Sequence, residues 1–249
     1  MDIQSRSTSE SVFENYDAGA RPISRDYFSN VFAFMFLALG ISAVVAYLFA
    51  NNQEWLYPLF NETGSSFSIL GYLVLFAPLG LVLLMNFGFN KLSAPILMLV
   101  FIIYSGLTGV TLSFVLLTYT SNSVFGCFAS AAAMFGVMAF LGYTTKQDLT
   151  KFGRIMIMGL IGIIIASLIN MFMKSGTMEY IISFVGVMVF TGLTAYDVQK
   201  IKRIGENLDE NGQVVASDVK KLSIIGALTL YLDFINLFLM LLRLFGSRK

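Results

Sequence analysis

The sequence contains no histidine, one cysteine and little charge: Asp, Glu, Lys and Arg make up 12% of its 249 residues, where a soluble domain is about a quarter charged. Lack of histidine removes the commonest general base and the commonest metal ligand. The lone cysteine, Cys127, excludes an internal disulfide; set in the apolar run Phe125 to Leu141, it reads as a small buried hydrophobe rather than a reactive thiol. A net charge of +1 leaves no basic face for phosphates, so nucleic acid is not expected as a partner. No cleavable signal peptide is apparent either, because the chain is polar up to Asp26 and the apolar run that follows is as long as a full membrane span.

What the chain has in abundance is apolar surface: 57% of residues are hydrophobic and the mean hydropathy is +0.77. A bilayer core of about 30 Å needs about 20 apolar residues per helix. Runs near 28–50, 67–89, 94–119, 124–144, 154–173, 179–199 and 222–245 meet that need, separated by polar interruptions such as Asn51 to Glu54 and Thr145 to Lys151. The expected fold is all-α, a polytopic membrane protein with a seven-helix bundle. Residues 1–26 are expected to form a polar, disordered cytoplasmic segment and residues 27–249 the transmembrane domain.

Basic residues set the expected orientation, since loops rich in them stay cytoplasmic. A cytoplasmic N-terminus places every lysine and arginine inside except Lys174, Arg243, Arg248 and Lys249. If the last run were a re-entrant hairpin, its three basic residues would return inside, and charge alone does not separate the two topologies. The stretch Lys200 to Lys221 is expected to be the longest cytoplasmic loop, with Asp209 to Gly212 as an ordinary turn rather than a calcium loop. Gly106, Gly109, Gly126, Ser130, Gly136, Gly159, Gly162 and Ala166 are expected where helices approach closely. Inverted repeats of the transporter kind are not visible.

Ionisable side chains inside lipid are the strongest functional signal, because an aspartate at the middle of a span costs about 3 kcal/mol and needs a partner, a cavity or an ion path. Asp233 lies about 11 residues into the last run and Asp197 toward the cytoplasmic end of the sixth. The two helices run antiparallel if both span, so the acids can meet. Thr229, Asp233, Asn236 and Met240 share one face of the last helix, and Phe190, Thr194 and Asp197 one face of the sixth. Two carboxylates brought together in a low dielectric cannot both ionise cheaply and titrate as a unit sharing a proton. The alternative is structural: each acid accepts hydrogen bonds from Tyr, Asn or backbone groups and locks helices together. With Thr194 and Asn236 the pair offers too few oxygens for a closed calcium cage, so any Ca²⁺ would bind weakly and transiently, as conduction requires.

The strings Gly142 to Leu149 (GYTTKQDL), Gly192 to Lys202 (GLTAYDVQKIK) and Ala227 to Gly246 (ALTLYLDFINLFLMLLRLFG) resemble the transmembrane Bax-inhibitor family in its bacterial branch. The last string, with Tyr231, Asp233, Phe234, Asn236, Leu237 and Phe238, is the most specific. The resemblance implies a seven-helix bundle around a central closing helix in the bacterial inner membrane. It also implies a pH-sensitive calcium leak, with Asp197 and Asp233 as the proton-sensing latch and no cofactor beyond the permeant ion. Leak members are pictured with a basic and an acidic residue on the second helix; the run 67–89 has no charge, and Asn86, Asn90 and Lys91 are the nearest substitutes. Some bacterial relatives are regarded as modulators of a membrane-bound protease, which makes a non-conducting binding role the alternative. With no histidine, catalytic cysteine or metal cluster, the chain reads as non-enzymatic, aspartate-dyad proteolysis being the least favoured reading.

Overall fold

The computed structural model describes residues 23–61, 66–211 and 216–249. Among the described residues, seven α-helices are long and apolar enough to cross a membrane. They are α1 (Ile23–Asn51), α2 (Ile69–Phe87), α3 (Ala94–Thr118), α4 (Ser121–Thr144), α5 (Thr150–Met173), α6 (Gly176–Asn211) and α7 (Ala216–Phe245), with a short 3-10 helix, Gln53–Leu59, between α1 and α2. The protein is thus a polytopic seven-helix membrane protein, as the hydropathy pattern indicates. In lipid every backbone group must be satisfied within its own segment, and helices do this. Starts are marked locally: the Ser68 hydroxyl accepts from the Gly71 N–H at 3.1 Å to cap α2, and Thr120 does the same for α4 through Ser123.

The helix α7 is the axis of the bundle. It packs on α1, α3, α4 and α6, while α2 rests on α3 and α5 on α6. Its length, about 45 Å at 1.5 Å per residue, exceeds the hydrocarbon core, and its end is fastened to the turn between α3 and α4. There the Thr120 N–H donates to the Ser247 carbonyl at 3.0 Å and the Lys249 N–H to the Thr118 carbonyl at 2.9 Å. Arg248 also faces Glu179 at 3.7 Å. The last run is therefore a full crossing and not a re-entrant hairpin, and Lys249 lies at the end of the bundle opposite Ile23.

The expected long loop from Lys200 to Lys221 is mostly helix. The α6 helix continues to Asn211 and α7 begins at Ala216, because Ile201, Gly205 and Leu208 recur at helical spacing and are buried past the apolar run. The Asp209 to Asn211 part of the expected turn is helical, and Asp209 accepts from the Ser24 N–H at 3.0 Å, serving the open start of α1. Gly212 and residues 1–22 of the polar segment lie outside the described residues; Ile23 to Asp26 are already helical.

Close helix approaches occur at some of the small residues and not at others. A Cβ on Gly109 would meet the Ser42 carbonyl at 2.8 Å, and one on Gly159 would meet Val189 at 2.9 Å. Gly106, Gly126, Gly136 and Gly162 have no such neighbour within 4 Å, and Ser130 is exposed, so these do not mediate packing in the monomer. The tightest α4–α6 approach is instead at Gly142, where a Cβ would run into the Ala195 carbonyl.

Candidate functional site

Asp197 and Asp233 come together. Both are buried, at 9% and 5% exposure, and they lie close enough for their carboxyl groups to interact. Two carboxyls this close in a low dielectric do not both ionise cheaply. The Asp233 Oδ2 atom is buried with no hydrogen-bond partner among the described residues. Lys200, three residues along α6 from Asp197, is exposed.

The pair lines a cavity of about 850 Å³ bounded by α2, α3, α5, α6 and α7. The α7 wall is Leu232 together with Thr229, Asp233, Asn236, Met240 and Arg243, the polar stripe with its next helical step added. Asn236 thus stands beside the acids. The α2 wall is apolar: Pro78, Leu79 and Val82.

Four other residues named from sequence lie elsewhere. Thr194 is fully buried, but its hydroxyl donates to the Phe190 carbonyl of its own helix at 2.8 Å and does not line the cavity. Tyr231 points away from the acids, since two residues correspond to roughly 200° around a helix. Its hydroxyl pairs with the Ser42 hydroxyl at 2.6 Å, and its ring packs edge-on against Phe101 and Tyr104. Asn86 is exposed on α2, donating to the Val82 carbonyl at 2.9 Å, and Lys91 is exposed in the turn before α3. Neither reaches the pair, because the cavity meets α2 one to two turns deeper in the bilayer.

Two residues escaped the sequence reading. Arg243 was assigned only to a side of the membrane; continuing the stripe from Met240 by three residues would have found it. Gln199 is the second. Two positions past Asp197, its amide donates to the Gln147 carbonyl at 2.8 Å and accepts from the Leu149 N–H at 2.9 Å, so it ties the α4–α5 loop to α6. The same loop is held by Arg203, which reaches Asp148 at 2.8 Å. Hydrogen bonds from the Thr150 hydroxyl and N–H and from Arg203 hold the Asp148 carboxyl below its ordinary 3.8, at about 2.

A lasting metal centre does not fit. Among the described residues no three His, Cys, Asp or Glu side chains are grouped to hold an ion, and two carboxyls with the Asn236 amide fall short of the six to eight oxygens calcium takes. The arrangement suits proton sharing and passing contact with a cation.

A family model described as "Inhibitor of apoptosis-promoting Bax1" matches residues 24–249. The inner membrane protein YbhL of Escherichia coli is 45% identical over 223 residues, which cover 90% of this chain and 92% of YbhL. The protein RP147 of Rickettsia prowazekii is 41% identical, covering 100% of this chain and 99% of its own length. A Borreliella burgdorferi protein is 42% identical over 91% of this chain and 94% of its own.

Proposed function

Because this chain belongs to the Bax inhibitor-1 family of membrane proteins, we propose that it is a pH-sensitive cation leak, passing calcium, in which Asp197 and Asp233 form the latch. The observation that carries this reading is a close, buried carboxyl pair on the wall of a membrane-embedded cavity, with one buried oxygen, Asp233 Oδ2, unpartnered among the described residues. A buried orphan oxygen is costly unless something visits it. With the shared proton in place the pair carries a single negative charge, delocalised over both carboxyls, and holds α6 to α7. Loss of that proton leaves two like charges in a low dielectric, which repel unless a cation intervenes. The same step would loosen the two helices and strengthen the attraction for Ca²⁺.

The reading is non-enzymatic, with protons and calcium as the interacting species, no resident cofactor, and an inner-membrane location with a cytoplasmic N-terminus. Calcium entry into liposomes, followed against pH for the parent and for Asp197→Asn, Asp233→Asn and the double variant, tests it. Each single change should flatten the pH response, and the double change should add little, since groups acting as one unit are non-additive. An unaltered pH response in both single variants would sink the latch. Absence of flux in the parent would favour a non-conducting regulator that binds a membrane-bound protease or another membrane partner.

A further inference from the structure

The cavity continues well past the carboxyl pair. Its α5 wall runs from Ile157 to Met171, about 21 Å at 1.5 Å per residue. The helix α2 rests on α3 and α5 on α6, and the cavity stands between them. The residues bordering this opening, Leu79, Ile164, Leu168 and Met171, are all more than half exposed. In a chain that spans a bilayer, such exposed apolar residues face hydrocarbon, so the opening gives onto lipid.

Arg243 stands at the far end. It lies ten residues along α7 from Asp233, about 15 Å. That is half of a hydrocarbon core of about 30 Å, which places its guanidinium at the level of the headgroups if Asp233 is at mid-membrane. Arg248 close by is occupied by Glu179, but Arg243 has no acidic partner among the described residues. A guanidinium at that depth extends to the interface and takes phosphate in a forked, charge-assisted bond.

We propose that this groove is a binding site for one phospholipid of the leaflet at the C-terminal end of the bundle, its phosphate on Arg243 and an acyl chain laid between α2 and α5. Charge and length agree: Arg243 is the only cation of the cavity wall among the described residues, at the headgroup level that the helical rise gives it, and the α5 wall of about 21 Å exceeds the half-core of about 15 Å that an acyl chain occupies. The site stands whether or not the protein conducts ions.

The test uses the full chain in phosphatidylcholine liposomes containing a little phosphatidylglycerol with a photoactivatable diazirine on its acyl chain, the adducts being mapped by mass spectrometry. Labelling should concentrate on Leu79 and on Ile157 to Met171, well above the exposed α1 face around Phe36 and Val44. Arg243→Gln should lower that excess by roughly tenfold, while Arg243→Lys keeps most of it. Leu168→Trp, which fills the groove and leaves Arg243 in place, should remove the excess by itself, and serves alone if Arg243→Gln does not fold. Equal labelling of the α1 and α5 faces, or an unchanged excess in Leu168→Trp, would overturn the proposal.

Discussion

The helices α7 and α5 are both hydrophobic enough to span a bilayer, yet 72% of the most apolar stretch of α7 is buried against 6% in α5. Polar content separates them. The α7 helix carries Ser223, Thr229, Tyr231, Asp233 and Asn236, and each needs protein or cavity around it. In α5 the run Ile155 to Ile165 has no polar side chain and can face lipid on almost every side. Hydropathy therefore identifies a crossing, while the intramembrane polar residues decide which crossing is central. The same division separates roles: α6 and α7 hold the ionisable pair, and α2 and α5 form the lipid-facing wall of its cavity.

This contrast can be broken most sharply at two glycines. Alanine at Gly142 drives its Cβ into the Ala195 carbonyl between α4 and α6, an overpacking between backbones that should destabilise by about 3 kcal/mol. Alanine at Gly162 of α5 meets nothing within 4 Å and should stabilise by about 0.5–1 kcal/mol through its helix preference. Unfolding of purified variants in mixed micelles with increasing dodecyl sulfate reads both, and equal effects would show that α5 is packed like α6.

A smaller effect is expected inside the core. Tyr231→Phe removes the hydroxyl that pairs with Ser42, but the Ser42 hydroxyl keeps the Ser105 carbonyl at 2.7 Å as an acceptor. The loss should be about 1 kcal/mol, read by the same unfolding assay. Because Tyr231 faces α1 and α3, any pH response of ion flux should be left as in the parent; a flattened response would tie Tyr231 to the acid pair after all.

The smallest effect concerns pH at the α4–α5 loop. The folded carboxyl of Asp148 is held at about 2, below its ordinary 3.8. Its stabilising contribution is therefore complete above 3.8, is lost as pH falls toward 2, and does not change across the neutral range. Amide exchange at Thr150, whose N–H donates to Asp148 at 3.0 Å, should show protection with no break near neutrality beyond the intrinsic pH dependence of exchange. Protection should fall modestly in Asp148→Asn. A break near neutral pH would place a proton sensor in this loop.

The crossings were legible because lipid leaves a chain few options: uncharged apolar runs of helical length have to span. The continuation of α6 beyond Lys200 was not, since it leaves the membrane, and its signal is a stripe of Ile201, Gly205 and Leu208 rather than a hydrophobic run. The meeting of Asp197 and Asp233 was legible from antiparallel neighbours with acids in the same half of the bundle. The direction of Tyr231 was obscured by its nearness in sequence to Asp233, although helical angle separates them. Lys91 was chosen as the nearest charge along the chain, whereas α2 meets the cavity through Pro78, Leu79 and Val82, which advertise no chemistry.

The tail that pairs Ser247 and Lys249 with the α3–α4 turn has a mechanical consequence. A helix pinned at one end can pivot but cannot slide freely along its axis. The pivot of α7 is near Phe245, about 18 Å from Asp233, whereas the start of the helix at Ala216 is about 25 Å away on the other side. A small tilt at Asp233 is therefore magnified more than twofold at Ala216, where α7 joins the extension of α6. Whatever opens or closes this bundle should be felt most strongly there, at the end farthest from the tether.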